Sequence, residues 1–136
     1  MITEIRNETG TQKLVGYVIE VGHLDGTARC WLDLDARHLN RHNVLHGGIA
    51  TMLLDSSSGA TGSLTVDDTG KAPFLSVTLN VQFIAPGKPG RVTATSQITG
   101  GGRSLKYIAG ALHHEDGTLI ATSTGVFKRV PQEKLP

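Results

Sequence analysis

Residues 74–130 constrain the fold more than any other part of the chain. Four strand-length runs follow one another there, each closed by a turn rich in glycine or proline. The first, FLSVTLNVQFIAP (74–86), alternates strictly from Leu75 to Phe83. Leu75, Val77, Leu79, Val81 and Phe83 fall on one face, and Ser76, Thr78, Asn80 and Gln82 on the other, the period of a half-buried strand. Gly87-Lys88-Pro89-Gly90 is a turn. RVTATSQITG (91–100) is a second strand, broken by Gly100-Gly101-Gly102, and SLKYIAGALHHE (104–115) is a third. Asp116-Gly117 is a hairpin signal leading into TLIATSTGVFKRV (118–130). Upstream, LVGYVIEVG (14–22) and TARCWLDL (27–34) read as two strands joined by a turn at His23-Leu24-Asp25-Gly26, and PQEKLP reads as a loose tail. The expected architecture is α+β: one domain over 1–136, about six antiparallel strands, and one helix on which the curved sheet buries its apolar face.

That helix is expected from Gly47 or Gly48 to about Leu64. At helical spacing Ile49, Leu53, Ala60 and Leu64 share a face, flanked by Met52, and form the expected core side. Asp55 falls elsewhere, among Thr51, Ser58, Gly59 and Gly62. A solvated aspartate is the ordinary reading, but its neighbours are small rather than charged. Gly59 and Gly62 each cost about 1 kcal/mol relative to Ala inside a helix. A helix that accepts this cost invites a close approach by another backbone, which points to an interface or a site.

The start of the helix carries its own chemistry. Gly47-Gly48 admits the helix, and glycine also lets a ligand approach the unpaired N–H groups of the first turn, where the partial positive charge suits a developing oxyanion. A carboxylate two turns along makes an acyl-transfer pair with that donor if the substrate lies across the helix.

Composition removes several classes of function. The net charge is +1, the cations are scattered, and there are one Trp, two Tyr and three Phe, so no basic and aromatic nucleic-acid surface is expected. No apolar run approaches the roughly 20 residues of a membrane span. MITEIRNETG has no signal-peptide pattern, and the single Cys30 allows no internal disulfide, so a cytoplasmic setting is expected. The Asn7-Glu8-Thr9 sequon is read as chance. His38, His42 and His46 are spaced as a metal-binding helix face would be, yet Asn43 and Gly47-Gly48 disfavour a continuous helix, no acidic or cysteine ligand lies between them and HExxH is absent, so no metal is expected. There is no G-x-S-x-G serine-hydrolase elbow. GGGRSL is not a dinucleotide fingerprint.

Asn40-x5-His46-Gly47-Gly48-x6-Asp55, followed by Gly59, resembles the hotdog-fold acyl-CoA thioesterases, in particular the phenylacetate-pathway (PaaI-type) branch. SVTLNVQFIAP, GGGRS and DGTLIATSTGVF fit the same pattern, so the resemblance covers nearly the whole chain. It implies a long helix wrapped by the sheet, and homodimers whose sheets join edge to edge with active sites between protomers, many of them paired into homotetramers. It also implies hydrolysis of a thioester to a free acid and CoA without a cofactor. Asp55 resembles the catalytic carboxylate, as general base or nucleophile, and the Gly47 N–H the donor to the thioester carbonyl. His46 resembles a residue near that carbonyl or fixing the loop, and Asn40 one that positions water or thioester. Ser76 resembles a serine that orients water from the other protomer. Gly48 and Phe83 are expected against the substrate. Arg103, Ser104 and Lys106 are candidates for the phosphates of CoA, with Lys88 and Arg91 behind them, ordinary surface charge being the alternative for each. A hotdog hydroxyacyl-thioester dehydratase using His46 and Asp55, and a non-catalytic acyl-CoA-binding protein, are the competing readings.

Overall fold

The computed structural model describes residues 1–136. The elements run β1 (Thr3–Ile5), α1 (Gly10–Val15), β2 (Val18–Val21), β3 (Arg29–Asp33), α2 (Gly47–Ser63), β4 (Phe74–Phe83), β5 (Arg91–Gly101), β6 (Leu105–His114) and β7 (Leu119–Arg129). All seven strands form one antiparallel sheet in the order β1-β2-β3-β5-β6-β7-β4. Helix α2 packs on it, and β4, which follows the helix directly, is an edge strand. No helix is long and apolar enough to cross a membrane.

Two expectations about the N-terminal region are corrected. Residues 14–22 are not one strand: Leu14 and Val15 end α1, Gly16 closes it with φ +91°, and β2 begins only at Val18. The helix forms because Thr9 caps it, accepting from Gln12 N–H at 3.1 Å, while the buried Gln12 side chain donates to Ile5 O and Tyr17 O. The short β1 then pairs with β2, so the sheet has seven strands rather than six. The turn before β3 is as expected, with Gly26 at φ +74°. The triple glycine does not break β5 at its start. The strand continues through Gly101 by means of a bulge between Ile98 and Gly100, and the turn falls at Gly102–Ser104.

Helix α2 keeps its expected span, and its expected core face packs inward: Leu53 and Ala60 are buried, and Ile49, Met52 and Leu64, half-exposed, pack against the core. The buried side is wider than expected and takes in Ala50, Leu54, Ser57, Ser58 and Thr61. The Ser57 and Thr61 hydroxyls sit on the sheet-facing side because both bond to Ser96 of β5, whereas the Ser58 hydroxyl is buried without a partner. Ser96 Oγ lies 3.0 Å from Ser57 Oγ and 2.6 Å from Thr61 Oγ1, and Ala28 N–H donates to Thr61 Oγ1 at 3.0 Å. An apolar count cannot see that network. Leu32, Leu53, Leu54, Val92, Leu112 and Ile120 form the centre of the main core. Cys30 belongs to it, and burial pushes its thiol pKa up. On the outer face Arg91 stacks 3.7 Å from the Trp31 ring and hydrogen-bonds Asp33, holding that carboxyl below the usual range.

Candidate active site

Asp55 is half-buried on α2, and Ser76 Oγ of the same chain donates to its Oδ1 at 2.5 Å. Strict alternation would have put Ser76 with Thr78 and Asn80, away from the apolar face. A bulge overturns this: the register steps from Ser76↔Phe127 to Thr78↔Val126, leaving Val77 unpaired. The parity of β4 therefore reverses at Val77. Ser76 shares the helix-facing side with Val81, which packs on the core, and Phe83, whose ring faces Gly47. Leu75 and Val77, expected on that side, are 52% and 56% exposed. Within one chain Ser76 is thus brought into contact with Asp55.

The other end of α2 holds one free donor. His46 is the N-cap, and its Nδ1 accepts from Gly48 N–H at 2.9 Å. Ile49 and Ala50 N–H both donate to His46 O. The Gly47 N–H has no acceptor, so it alone of this turn is available to a ligand. Because Nδ1 is an acceptor, the exposed His46 ring carries its proton on Nε2. His46 thus fixes the turn, one of its two expected roles, and Gly48 is occupied by the cap. Thr51, which the sequence reading left without a role, donates to Gly47 O at 2.8 Å and holds the turn from the Asp55 side.

Asn40 sits in the loop before this turn. Its Oδ1 accepts from His42 N–H at 2.8 Å and Val44 N–H at 3.4 Å, which leaves its NH2 without a protein acceptor. Asn40 and Gly47 rim a recess of about 380 Å³ lined by Leu45, Ala50, Ile84 and Ile120. Phe83 also lines it and covers Gly47, since a Cβ there would lie 3.3 Å from the ring.

The three histidines sit in three different local settings. His38 is buried in a 3-10 turn, its Nε2 bonded to Val15 O at 2.7 Å and its Nδ1 accepting from Asp35 N–H, whereas His42 lies in an exposed loop. Arg103 and Ser104 form the exposed tip before β6, and Lys106 lies on that strand. Lys88 pairs with Asp116 and Arg91 with Asp33, so neither is free for a phosphate.

Gly47 and Asp55 stand eight positions apart on one helix. At 1.5 Å rise per residue that is about 12 Å. An oxyanion donor and a carboxylate acting on the same thioester carbon must both reach it at about 3 Å. One protomer therefore cannot apply both groups to one thioester, and the expectation of a substrate lying across a single helix is withdrawn.

A profile of the thioesterase superfamily matches residues 42–121, more than half of the chain. Acyl-coenzyme A thioesterase 13 of Homo sapiens is 29% identical over 122 residues, covering 88% of this chain and 83% of that protein. The medium/long-chain acyl-CoA thioesterase YigI of Salmonella typhimurium is 29% identical over 96 residues, 62% of each chain. Among solved structures, the Escherichia coli PaaI protein of the phenylacetic acid degradation operon superposes with a TM-score of 0.75 at 21% identity, over 91% of this chain and 86% of that one. A Bacillus halodurans protein crystallised with CoA superposes at 0.77 and 24% identity, over 90% and 76%. With its glycine-initiated helix held in a curved antiparallel sheet and its match across residues 42–121, the chain belongs to the thioesterase superfamily and has the hotdog fold.

Proposed function

We propose that this chain hydrolyses an acyl-CoA thioester to a free acid and CoA, at a site completed by two copies of itself. The observation that carries the reading is the division of α2: a single free N–H at Gly47, and, about 12 Å away, a carboxylate held by Ser76. Antiparallel association of two such helices brings Gly47 of one protomer against Asp55 of the other, twice per dimer. Strand β4 suits that association. It is a ten-residue edge without Pro or Lys, on which Leu75, Val77 and Phe83 are exposed. Such an edge is a template for pairing with a second chain.

In this arrangement the thioester oxygen accepts from the Gly47 N–H, with the Asn40 amide beside it. Asp55 takes a proton from water as the water oxygen bonds the carbonyl carbon, or bonds that carbon itself, giving after CoA leaves a mixed anhydride that water hydrolyses to the free acid and the Asp55 carboxylate. Ser76 holds the carboxylate in place. The tetrahedral intermediate collapses, the C–S bond breaks, and CoA leaves as a good thiolate leaving group, so no strong general acid and no cofactor are needed. One oxyanion donor contributes on the order of 3 kcal/mol. The dehydratase alternative needs a His46 free to work with a helix carboxylate, and the use of His46 Nδ1 as helix cap speaks against it.

The test is thiol release from a panel of acyl-CoAs by wild type and Asp55→Asn. A loss of about a hundredfold or more in kcat, with an unchanged melting temperature, is expected. Equal rates for the two proteins would remove Asp55 from the chemistry. A wild type that binds acyl-CoA and turns over none would favour the binding-protein reading.

A further inference from the structure

We propose that His38 is a positioning residue for the oxyanion side of the site: its buried imidazole ties the loop over residues 38–46, which carries Asn40 and leads into Gly47, to the end of helix α1. This deepens the acyl-CoA hydrolase reading and rests on it. The sequence sets His38, His42 and His46 out as three of a kind, and the fold gives them separate work. His42 is exposed and His46 caps α2, whereas His38 is 1% exposed.

A neutral imidazole in the interior needs a partner at each nitrogen, and His38 has both. Its Nδ1 accepts from Asp35 N–H at 3.0 Å, which leaves the proton on Nε2 to be donated to Val15 O at 2.7 Å. Val15 is the last residue of α1, and the carbonyl before it, Leu14 O, accepts from Arg37 Nη1 at 3.3 Å. The last carbonyls of a helix have no donor within the helix. Consecutive side chains from the 3-10 turn Ala36–His38 supply two of them here. Arg37 is exposed and His38 is buried, so the imidazole makes the bond that water does not compete for.

The backbone of His38 carries this anchor to the site. His46 N–H donates to His38 O at 2.9 Å, Leu39 and Leu45 form a bridge, and Asn40 N–H donates to Val44 O at 2.8 Å. Residues 38–46 are thus a two-armed loop, with Asn43 at φ +60° in its turn. Asn40 sits two residues along one arm, and the other arm ends at His46, immediately before Gly47. Both groups on the oxyanion side therefore hang from a base at His38. A second tie, Leu45 N–H to Gly87 O at 2.7 Å, holds the far arm, so a loop without the imidazole loses its register on α1 and keeps its place in the fold. A donor must meet the oxyanion at about 3 Å, and a misplacement of about 1 Å costs on the order of a hundredfold in rate.

The test compares His38→Leu, His38→Asn and His38→Gln, with His42→Gln as the control. Leucine fills the space and bonds to nothing. Asparagine offers an acceptor near the place of Nδ1 but is too short to reach Val15 O, whereas glutamine is long enough to present an amide N–H there. One readout is steady-state thiol release. The other is the 1H–15N resonance of the Gly47 amide in the ligand-free protein, which needs no turnover. His38→Leu and His38→Asn are expected to lose about tenfold or more in kcat with KM within about twofold of wild type, and to displace the Gly47 resonance. His38→Gln is expected to keep kcat within about threefold and the resonance near its wild-type position, and His42→Gln to change neither. If His38→Leu does not fold, the Gln and Asn variants decide. Wild-type kcat in His38→Asn, a His38→Gln no better than His38→Asn, or a His42→Gln as impaired as either overturns the proposal. A wild type that hydrolyses no thioester sinks the hydrolase reading instead. In that case a Gly47 resonance that moves in His38→Asn and returns in His38→Gln retains the positioning role, and one that stays put in both removes it.

Discussion

Gly59 and Gly62 look equivalent in the sequence, two glycines inside one helix, yet their surroundings separate them. A Cβ at Gly62 would lie 3.2 Å from the Phe74 ring and 3.5 Å from Ile108, whereas nothing lies within 4 Å of one at Gly59. Gly62 thus meets the close approach that its cost implied, and the approaching group is the protein's own β4. Alanine gains about 1 kcal/mol of helix propensity at either site. At Gly62 crowding of the ring costs about 1–3 kcal/mol and outweighs it. Gly62→Ala is expected to lower the melting temperature and Gly59→Ala to raise it by a few degrees, both followed by thermal denaturation with the oligomeric state checked. A Gly59→Ala protein that melts lower and dissociates would place another protomer's backbone over that position. At this scale the sequence was informative about types of residue and less so about partners. Asp55, Gly47 and Asn40 were visible from the Asn-x5-HGG-x6-Asp spacing. Which N–H of the first turn stays free depends on the rotamer of His46, which no spacing encodes.

Elements were legible where periodicity ran long. Helix α2 and strands β4 to β7 fall within a few residues of their expected spans. The misses have physical causes. Helix α1 is held by the Thr9 cap and the buried Gln12 amide rather than by an apolar stripe, and the Thr9-x-x-Gln12 spacing was its one readable sign. The bulge at Val77 leaves the alternating pattern intact while reversing which side faces the helix. That reversal brings Ser76 to Asp55. Deleting Val77 restores continuous pairing with Thr78 still opposite Val126 and Ser76 still opposite Phe127, so Ser76 stays on the helix-facing side. The deletion is expected to keep kcat within about threefold of wild type, whereas Ser76→Ala loses about tenfold or more. Steady-state kinetics beside far-UV circular dichroism of both variants checks this. A deletion protein as impaired as Ser76→Ala would mean that Ser76 needs the unpaired residue to reach Asp55.

At the scale of the whole molecule the separation of Gly47 from Asp55 becomes a statement about assembly. In the proposed dimer each protomer carries half of two sites, giving two composite sites, each with Gly47 and Asn40 from one chain and Asp55 and Ser76 from the other. Two inactive chains should then repair each other. Gly47→Pro removes the free N–H and keeps the helix, because proline suits the first helical position and His46 before it already has the extended ψ of 131° that a following proline requires. Asp55→Asn removes the carboxylate. A dimer of one chain of each kind has one site with both defects and one with none. In an equal mixture that exchanges freely, half of the dimers are mixed and each has one of its two sites intact, so activity returns to about a quarter of wild type. If each chain held a complete site of its own, every site in the mixture would carry one defect and the activity would stay at the sum of the two variants. Thiol release from the refolded equal mixture, compared with each variant alone, separates the two cases without knowledge of the preferred acyl group, provided the wild type turns over one member of the panel.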